Sequence, residues 1–505
     1  MASTEQDLNT RDVPVEMSAE EFREVGHRLV DEVAGLLESI RERPVTPGET
    51  AAEVRDALGW TRKLPERGES ASTLVSQATR LMFEHSLFVG SPRFLGYVVG
   101  APSPIGALAD MLAAAVNPNV GGWPLSPMAS EIEGQTIRWI AEWLGYPTDC
   151  GGLLVSGGNM ANFVGFLAAR HAKSTWDVRA KGAAPSDSAR LRCYTSGETH
   201  TWVQKAADLF GLGTDAITWV PTDAGQRMDV TALAEAVAAD RRDGALPFLV
   251  VASAGTVSTG AIDPLRDMAE LSRTENLWLH VDGAYGGIAA GLPDAPEDLK
   301  ALALADSVAV DPHKWLYAPA EAGCALVRDR EVLHDTFRYT PPYYHLDRSP
   351  DAPLNYYEWG PQNSRGFRAL KVWLNLRQAG RDGYRRMVAD DIALARRLFE
   401  LVDAEPELEA VTHSLSITTF RYVPESIDPQ AEGAEDYLDT LNTALLERIE
   451  KGGEVFVSNA IVDGRFLLRA CIVNFRTTAA DIDAIPAIVR RVGAELHAEL
   501  RPPAA

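Results

Sequence analysis

Lys314 is the side chain in this sequence with the most evident chemistry, because it stands beside His313 just after an apolar run that ends at Val310. The amine of an ordinary lysine, with a pKa of about 10.4, is a poor nucleophile, but desolvation and neighbouring positive charge activate it toward carbonyl groups. A lysine at the end of a buried strand is therefore a candidate for Schiff-base formation. Taken alone, such a lysine is more often a plain surface cation.

Asp282 and His200 also follow short apolar runs, at 279–282 and 192–195. A carboxylate followed by small residues, as at Asp282, can keep the nitrogen of a flat ring protonated, although an aspartate after a strand serves equally often as a helix cap. The imidazole of His200 can stack on a planar group, but a lone histidine is more often structural. Each residue alone therefore carries an open alternative.

Residues 151–162, GGLLVSGGNMAN, combine a strand, a glycine turn and the start of a helix. Free backbone N–H groups and the positive end of a helix attract phosphate, and Gly158 and Asn159 are the best-placed contacts. The pattern is neither GxGxxG nor a Walker loop, so a plain tight turn explains it equally well. Thr256 follows another strand-like run, where its hydroxyl either reaches the same pocket or belongs to a turn.

The elements that would position these side chains alternate in type between residues 150 and 330. Helical stretches such as 230–240 separate short β-rich runs at 153–155, 192–195, 217–221, 248–252, 278–282 and 307–311. This alternation predicts a mainly parallel sheet covered by helices. Ligands bind such sheets at the carboxyl ends of the strands, where Asp282 and Lys314 stand.

The N-terminal part of the chain predicts an amphipathic helix. Ser18 opens a capping-box pattern, apolar residues recur at helical spacing as far as Ile40, and the helix should end before Pro44. Its apolar face packs either on its own chain or on a second subunit.

The C-terminal part predicts a smaller α+β domain. Beyond Tyr384 a helix runs to about Val402, and a final helix begins at Ala479. Between them lie strand-like runs at 416–422, 455–458 and 466–473. A short mixed segment of this kind is typical of a domain attached to a larger α/β unit.

The composition limits the classes of partner. The formal net charge is −23 and the isoelectric point is about 4.9, which argues against binding nucleic acid or an anionic membrane surface. The four cysteines lie far apart without CxxC spacing, so the pattern predicts reduced thiols and no metal site. No run reaches the roughly 18 apolar residues needed to span a bilayer, and a cytoplasmic protein acting on a small molecule is expected.

Together, an imine-forming lysine, a carboxylate for a pyridinium, a ring stacker and a phosphate turn are the parts that pyridoxal 5'-phosphate (PLP) requires. The most specific motifs are DPHKW at 311–315 and HVDGAYGG at 280–287, supported by SPRFLGY at 91–97, LADML at 108–112 and LRACIVNFRTT at 468–478. On these motifs the chain resembles the PLP-dependent group II amino-acid decarboxylases, which include aromatic-L-amino-acid and glutamate decarboxylases. The resemblance extends from Ser18 to about Leu500.

The resemblance implies the α/β architecture of the fold type I PLP-dependent transferases. A mainly parallel seven-stranded sheet is expected, with an N-terminal helical segment and a small C-terminal α+β domain. The implied divisions are a helical segment at 1–90 that interlocks two subunits, a PLP-binding domain at 91–384 and a small domain at 385–505. A homodimer with its active site at the subunit interface is expected.

The resemblance also implies roles for individual residues. Lys314 would form the Schiff base, Asp282 would hold the pyridine nitrogen, and His200 would stack on the ring, with Ala284 against its other face. Further cofactor contacts are implied at Gly158, Asn159, Thr256, Ser307, His313 and Ser364. Of these, Ser364 is either a contact that crosses the subunit boundary or simply part of a helix start.

Tyr343 best matches the proton-donating tyrosine of the family, in a proline-rich segment at 339–355 that predicts a closing loop; Tyr344 is the alternative. Aldehyde-forming relatives commonly carry phenylalanine there, so Tyr343 favours decarboxylation to an amine. A glutamate or diamino-acid decarboxylase would need a charged substrate partner that the sequence does not reveal. A binding protein without activity is disfavoured because the working residues are present.

The substrate candidates are Tyr97, Val98, Val99 and Trp123. Aromatic-specific relatives carry bulky aromatic side chains in this pocket, whereas this chain has valines and the pair Gly121–Gly122 before Trp123. These differences leave the pocket shape open. Aromatic L-amino acids are the first expectation.

Overall fold

The computed structural model describes residues 13–183, 189–339 and 353–500. The helices are α1 Ala19–Ser39, α2 Ala51–Leu58, α3 Ala71–Glu84, α4 Pro104–Val116, α5 Pro127–Leu144, α6 Gly158–Lys173, α7 Val178–Lys181, α8 Trp202–Leu209, α9 Val230–Arg242, α10 Leu265–Thr274, α11 Glu297–Lys300, α12 Arg330–Phe337, α13 Ala369–Asp403, α14 Ala434–Gly452, α15 Ala479–Asp483 and α16 Ile485–Leu500. The strands are β1 Gly151–Val155, β2 Leu191–Ser196, β3 Ile217–Val220, β4 Leu246–Ser253, β5 Trp278–Asp282, β6 Ser307–Val310, β7 Gly323–Val327, β8 Leu408–Ser414, β9 Ile417–Tyr422, β10 Ser458–Val462 and β11 Arg465–Cys471.

The large sheet has seven strands in the order β1-β7-β6-β5-β4-β2-β3. The pairs from β6 through β5, β4 and β2 to β3 are parallel, whereas β7 is antiparallel to both β1 and β6. The mainly parallel α/β sheet predicted from the sequence is therefore confirmed. Because both faces are covered by helices, the central strands are almost wholly buried and mainly apolar, as in other parallel sheets.

β7 was not predicted, and it decides how Lys314 is held. The link from β6 to β7 covers residues 311–322 and turns back directly, without a crossover helix. Gly323, at the start of β7, packs so closely on Gly157 that a Cβ would lie 2.5 Å from its carbonyl oxygen. The lysine loop is consequently fixed at both ends within the sheet.

The predicted N-terminal helix is confirmed as α1. The side chain of Ser18 caps it by accepting a hydrogen bond from the backbone N–H of Glu21 at 3.1 Å. The guanidinium of Arg28 donates to the hydroxyl of Ser72 at 3.0 Å and so ties α1 to α3. Apolar side chains on α1, α3 and α4 nevertheless remain exposed, among them Phe22, Leu29, Val30, Leu74, Met82, Leu108, Met111 and Val116.

The C-terminal part forms a second, four-stranded antiparallel sheet in the order β10-β11-β9-β8. The strand predicted at 455–458 is wrong, because the strand begins only at Ser458. The preceding Phe456 instead bonds with the N-terminal part of the chain: its N–H donates to the carbonyl of Arg93 at 3.0 Å, and its carbonyl accepts from Leu95 at 2.7 Å. β8 was missed entirely.

The long helix α13 crosses the predicted division at residue 384. Its helical geometry is interrupted at Gly380, where φ is 62° and ψ is 177°. The division into segments at 90 and 384 stays a prediction. No helix in the described ranges is long and apolar enough to cross a membrane, and all four cysteines are free thiols.

Candidate active site

A cleft of about 420 Å³ opens at the carboxyl ends of β4, β5 and β6, bounded by the start of α6 and the segment before α8. Its lining consists of Ser156, Gly157, Gly158, Asn159, Asn162, Glu198, His200, Ser253, Gly255, Thr256, Val257, Asp282, Ala284, Tyr285, Asp311, His313, Lys314 and Glu321. Nearly all of the predicted cofactor residues are therefore gathered at one edge of the sheet, as expected for this topology.

Lys314 points its amine at the carboxylate of Asp311, at 3.1 Å from Oδ2. Asp311 is buried, and its other oxygen accepts no hydrogen bond from the described residues. The Asp311 carboxylate lies directly behind the glycine turn, because a Cβ on Gly158 would be 2.6 Å from its Oδ2. Position 158 therefore tolerates only glycine unless the carboxylate beside Lys314 moves.

Asp282 ends β5 and is held by two donors. The indole Nε1–H of Trp202 donates to Oδ2 at 2.7 Å, and the backbone N–H of Ala284 donates to Oδ1 at 3.1 Å. Trp202 is fully buried at the first position of α8. Trp202 was not among the residues predicted from the sequence, although it lies two residues after His200.

The imidazole of His200 lies close enough to Asp282 and Lys314 for the charges of both groups to affect its pKa. Partial desolvation lowers the pKa of His200, and the Asp282 carboxylate acts in the opposite direction. The backbone N–H of Trp202 approaches its Nδ1 at 3.3 Å. The ring of His200 and the small side chain of Ala284 both line the cleft, as a flat ligand would require.

The glycine turn presents the start of α6 to the same cleft. Gly157 has a φ of 83°, which favours glycine, and no side chain caps the helix. The first backbone N–H groups, at Gly158 and Asn159, are therefore available to an anion. His313 contributes its ring nearby, held by a hydrogen bond between its Nδ1 and the carbonyl oxygen of Ala322 at 2.7 Å.

Thr256 lines the cleft, but its hydroxyl is already engaged in a turn. It lies 3.0 Å from the hydroxyl of Thr259 and accepts the N–H of Ala261 at 3.1 Å. Glu198 is a cleft residue that the sequence analysis missed. Burial raises the pKa of Glu198, and a hydrogen bond with Ser258 acts in the opposite direction.

Ser307 is not part of the cleft, which corrects the sequence-based expectation. Ser307 begins β6, whereas Lys314 follows the carboxyl end of that strand. The two residues therefore lie at opposite ends of β6. Its hydroxyl accepts the indole N–H of Trp278 at 2.8 Å and lies 2.8 Å from Nδ1 of His280. These contacts occupy the hydroxyl within the sheet.

The predicted substrate residues do not line the cleft within this chain. Tyr97 is about half exposed and packs 6.1 Å from the ring of Phe456, while Val98 and Val99 are partly buried beside it. This segment still approaches the site, because a Cβ on Gly100 would lie 2.1 Å from the carbonyl oxygen of Lys314.

Trp123 and Ser364 lie on neighbouring segments, also outside the cleft lining. The backbone N–H of Val120 donates to the carbonyl of Arg365 at 2.9 Å and joins the two segments. The indole of Trp123 donates to Glu131 at 2.9 Å, and Ser364 is exposed. The predictions for Tyr343 and Tyr344 fall outside the described residues.

A family model, described as the pyridoxal-dependent decarboxylase conserved domain, matches residues 56–423. This chain belongs to the pyridoxal-dependent decarboxylase family. It is a PLP-dependent amino-acid decarboxylase by fold and family, as the resemblance predicted.

Individual members of the family show how far the likeness extends. The aromatic-L-amino-acid decarboxylase of Bacillus atrophaeus is 32% identical, over 95% of this chain and 97% of that protein. The 3,4-dihydroxyphenylacetaldehyde synthase of Aedes aegypti is 28% identical, over 92% of this chain and 88% of that protein. The crystal structure of Oryza sativa TDC with PLP and tryptamine superposes with a TM-score of 0.88 at 26% identity, covering 96% of this chain and all of that one.

The cleft fits the cofactor of the decarboxylase family. It supplies an amine at Lys314, a carboxylate at Asp282, and backbone N–H groups at the start of α6 for a phosphate. The volume of about 420 Å³ is within the range of small-molecule sites. One oxygen of Asp311 has no hydrogen-bond partner among the described residues, and no side chain caps the start of α6. Both groups are therefore available to a polar ligand.

Proposed function

We propose that this protein decarboxylates aromatic L-amino acids to the corresponding amines and carbon dioxide. The observation that carries the proposal is the meeting of Lys314, Asp282 and His200 in one cleft. The relative from Bacillus atrophaeus, which matches almost the whole chain, supports the aromatic substrate class. No charged partner for an acidic or basic substrate side chain was recognisable in the sequence.

When bound, PLP withdraws the electron pair left on Cα as carbon dioxide departs. In the proposed site the amine of Lys314 would hold the cofactor. Asp282 keeps a proton at the ring nitrogen, and His200 and Ala284 cover the two ring faces. The N–H groups of Gly158 and Asn159, with the ring of His313 nearby, hold the phosphate.

The proposed assembly is a homodimer. The apolar side chains left exposed on α1, α3 and α4 support it, because a surface of this kind is typical of a subunit interface. A partner would also give a role to Trp123 and Ser364, which do not line the cleft of their own chain: they would complete the cleft of the other subunit. The proposed compartment is the cytoplasm, in agreement with the free cysteines.

The substrate proposal is tested by incubating the purified protein and PLP with pooled L-amino acids. Amines, aldehydes and carbon dioxide are then measured. Aromatic amines with an equal amount of carbon dioxide are expected. Turnover of glutamate or a diamino acid instead would reject the aromatic class, and a colourless protein in excess PLP would reject the enzyme.

The choice between amine and aldehyde depends on the proposed proton donor, Tyr343. Replacing it in Tyr343→Phe removes the hydroxyl that returns a proton to Cα, so the cofactor should remain bound while product shifts from amine toward aldehyde, with dissolved O2 as the oxidant and ammonia and hydrogen peroxide as the other products. Tyr344→Phe is the matched control and should keep amine as its product. Unchanged amine output from Tyr343→Phe would reject Tyr343 as the donor.

A further inference from the structure

The indole of Trp202 is the group through which this chain orients the carboxylate of Asp282. Its Nε1–H donates to Oδ2 at 2.7 Å, which is a short hydrogen bond to a carboxylate. The other oxygen, Oδ1, accepts only the backbone N–H of Ala284, at 3.1 Å, among the described residues. The indole is thus the one side chain of the described ranges that is hydrogen-bonded to this carboxylate.

Trp202 is packed tightly enough to fix the direction of its indole N–H. It is fully buried, and its ring meets that of His280 edge to face, with centroids 5.5 Å apart and an interplanar angle of 84°. His280 lies on the same strand as Asp282, two residues earlier, so the ring and the N–H of Trp202 both contact residues of β5. The indole therefore has little freedom to release the carboxylate.

We propose that Trp202 is a positioning residue that keeps the carboxylate of Asp282 aimed at the ring nitrogen of PLP. The inference rests on the proposed role of Asp282. With one donor on each oxygen, the carboxylate is fixed in its plane and keeps further lone pairs for a third donor, which is the protonated ring nitrogen.

The test is Trp202→Phe, which deletes the N–H and keeps an aromatic ring. The dissociation constant of PLP should rise about tenfold, as expected for losing one hydrogen bond to a charged group. The absorption spectrum of the bound cofactor and its pH dependence should also change, because both depend on the proton at the ring nitrogen.

Trp143→Phe is the matched control. Trp143 is also buried and donates its indole N–H at 2.7 Å, but to the backbone carbonyl of Ile288 and away from the cleft. This variant should lower stability without changing PLP affinity or the spectrum. Equal effects of the two variants on PLP affinity and spectrum would overturn the proposal.

If Trp202→Phe does not fold, benzothienylalanine introduced at position 202 replaces the N–H by sulfur with nearly the same ring shape. Loss of PLP affinity and a changed spectrum in that protein support the proposal, and wild-type values reject it. Asp282→Ala separates the two hypotheses. If Asp282→Ala binds PLP normally, the role of Asp282 itself fails; if only Asp282→Ala is impaired, the role of Trp202 fails.

Discussion

Two polar groups of residues share the central strands of the large sheet, and they differ in how completely they are hydrogen-bonded. The inner network joins β5 and β6 to helix α6: Nε2 of His280 is 2.7 Å from Oδ1 of Asn162, and Nδ1 is 2.8 Å from the hydroxyl of Ser307. That hydroxyl also accepts the N–H of Trp278. A neutral imidazole protonated at Nε2 satisfies every one of these contacts.

The cleft network, at the carboxyl ends of the same strands, is incomplete. One oxygen of Asp311 and one of Glu198 are buried without a hydrogen-bond partner among the described residues. Buried polar atoms are almost always paired, so unpaired atoms beside an open cleft mark where a ligand belongs. Burial and polarity alone therefore do not identify a site, whereas unused hydrogen-bonding capacity next to a cavity does.

The largest effect that would sharpen this comparison is expected from Lys314→Ala. Losing the amine should reduce decarboxylation by at least about a thousandfold and abolish the absorption of the covalently bound cofactor. Lys371→Ala is a control, because Lys371 is buried and, like Lys314, lies 3.1 Å from an aspartate, in its case Asp110. Full activity in Lys314→Ala would remove this residue from the chemistry.

A smaller loss is expected from Gly158→Ala. The added Cβ would meet Oδ2 of Asp311 at 2.6 Å, so the carboxylate beside Lys314 must shift. A displacement of about 1 Å at a reacting group costs roughly a hundredfold in rate. Steady-state kinetics check this, with Gly145→Asn as the control at a left-handed helix end that has open space around it. Equal kinetics for both variants would contradict the argument.

Ser307→Ala should lower stability and leave cofactor binding nearly unchanged, because Ser307 belongs to the inner network and not to the cleft. Leaving the Trp278 N–H and the His280 Nδ1 without their partner should lower the free energy of unfolding by about 1–3 kcal/mol. PLP affinity, measured by titration, should change less than about twofold because the hydroxyl does not line the cleft. A large loss of affinity with unchanged stability would return Ser307 to the site.

The pH dependence of stability gives an effect of similar size. Burial lowers the pKa of His280 to about 4, while an unfolded histidine titrates near 6.5. Below pH 6.5 the unfolded chain binds the proton and the folded chain does not, so stability is lost as the pH falls toward 4. This group alone should cost about 2 kcal/mol between pH 7 and pH 5.

Urea unfolding of wild type and His280→Gln at both pH values measures that loss. The variant lacks the titrating ring, so its stability should change less than that of wild type over this interval. The same decrease in both proteins would show that the inner network does not hold a neutral imidazole.

The sequence predicted the cleft well because strand ends are local features. Asp282 and Lys314 each follow an apolar run, and in a parallel sheet such positions meet at one edge without further information. The prediction for Ser307 failed on the same rule, since Ser307 begins its strand and Lys314 follows the end of it. The direction of the strand should have separated the two residues.

Other features depend on contacts that no local pattern carries. The hydrogen bond from Trp202 to Asp282 joins residues 80 positions apart. The strand predicted at 455–458 was displaced because Phe456 pairs with residues near position 94, from the other end of the chain. β7 is a five-residue strand with glycine at its start, which gave no distinct signal among the neighbouring loops.

The position of β7 in the sheet also predicts how slowly the segment after the lysine loop exchanges its amide protons with solvent. β7 is hydrogen-bonded to β1 on one side and to β6 on the other, so the loop at 311–322 runs directly into a strand that is paired along both edges. Segments of this kind open only with the whole domain. We therefore expect the amides of 324–327 to be among the slowest to exchange, with or without PLP, so that loss of the cofactor leaves Lys314 in place for its return.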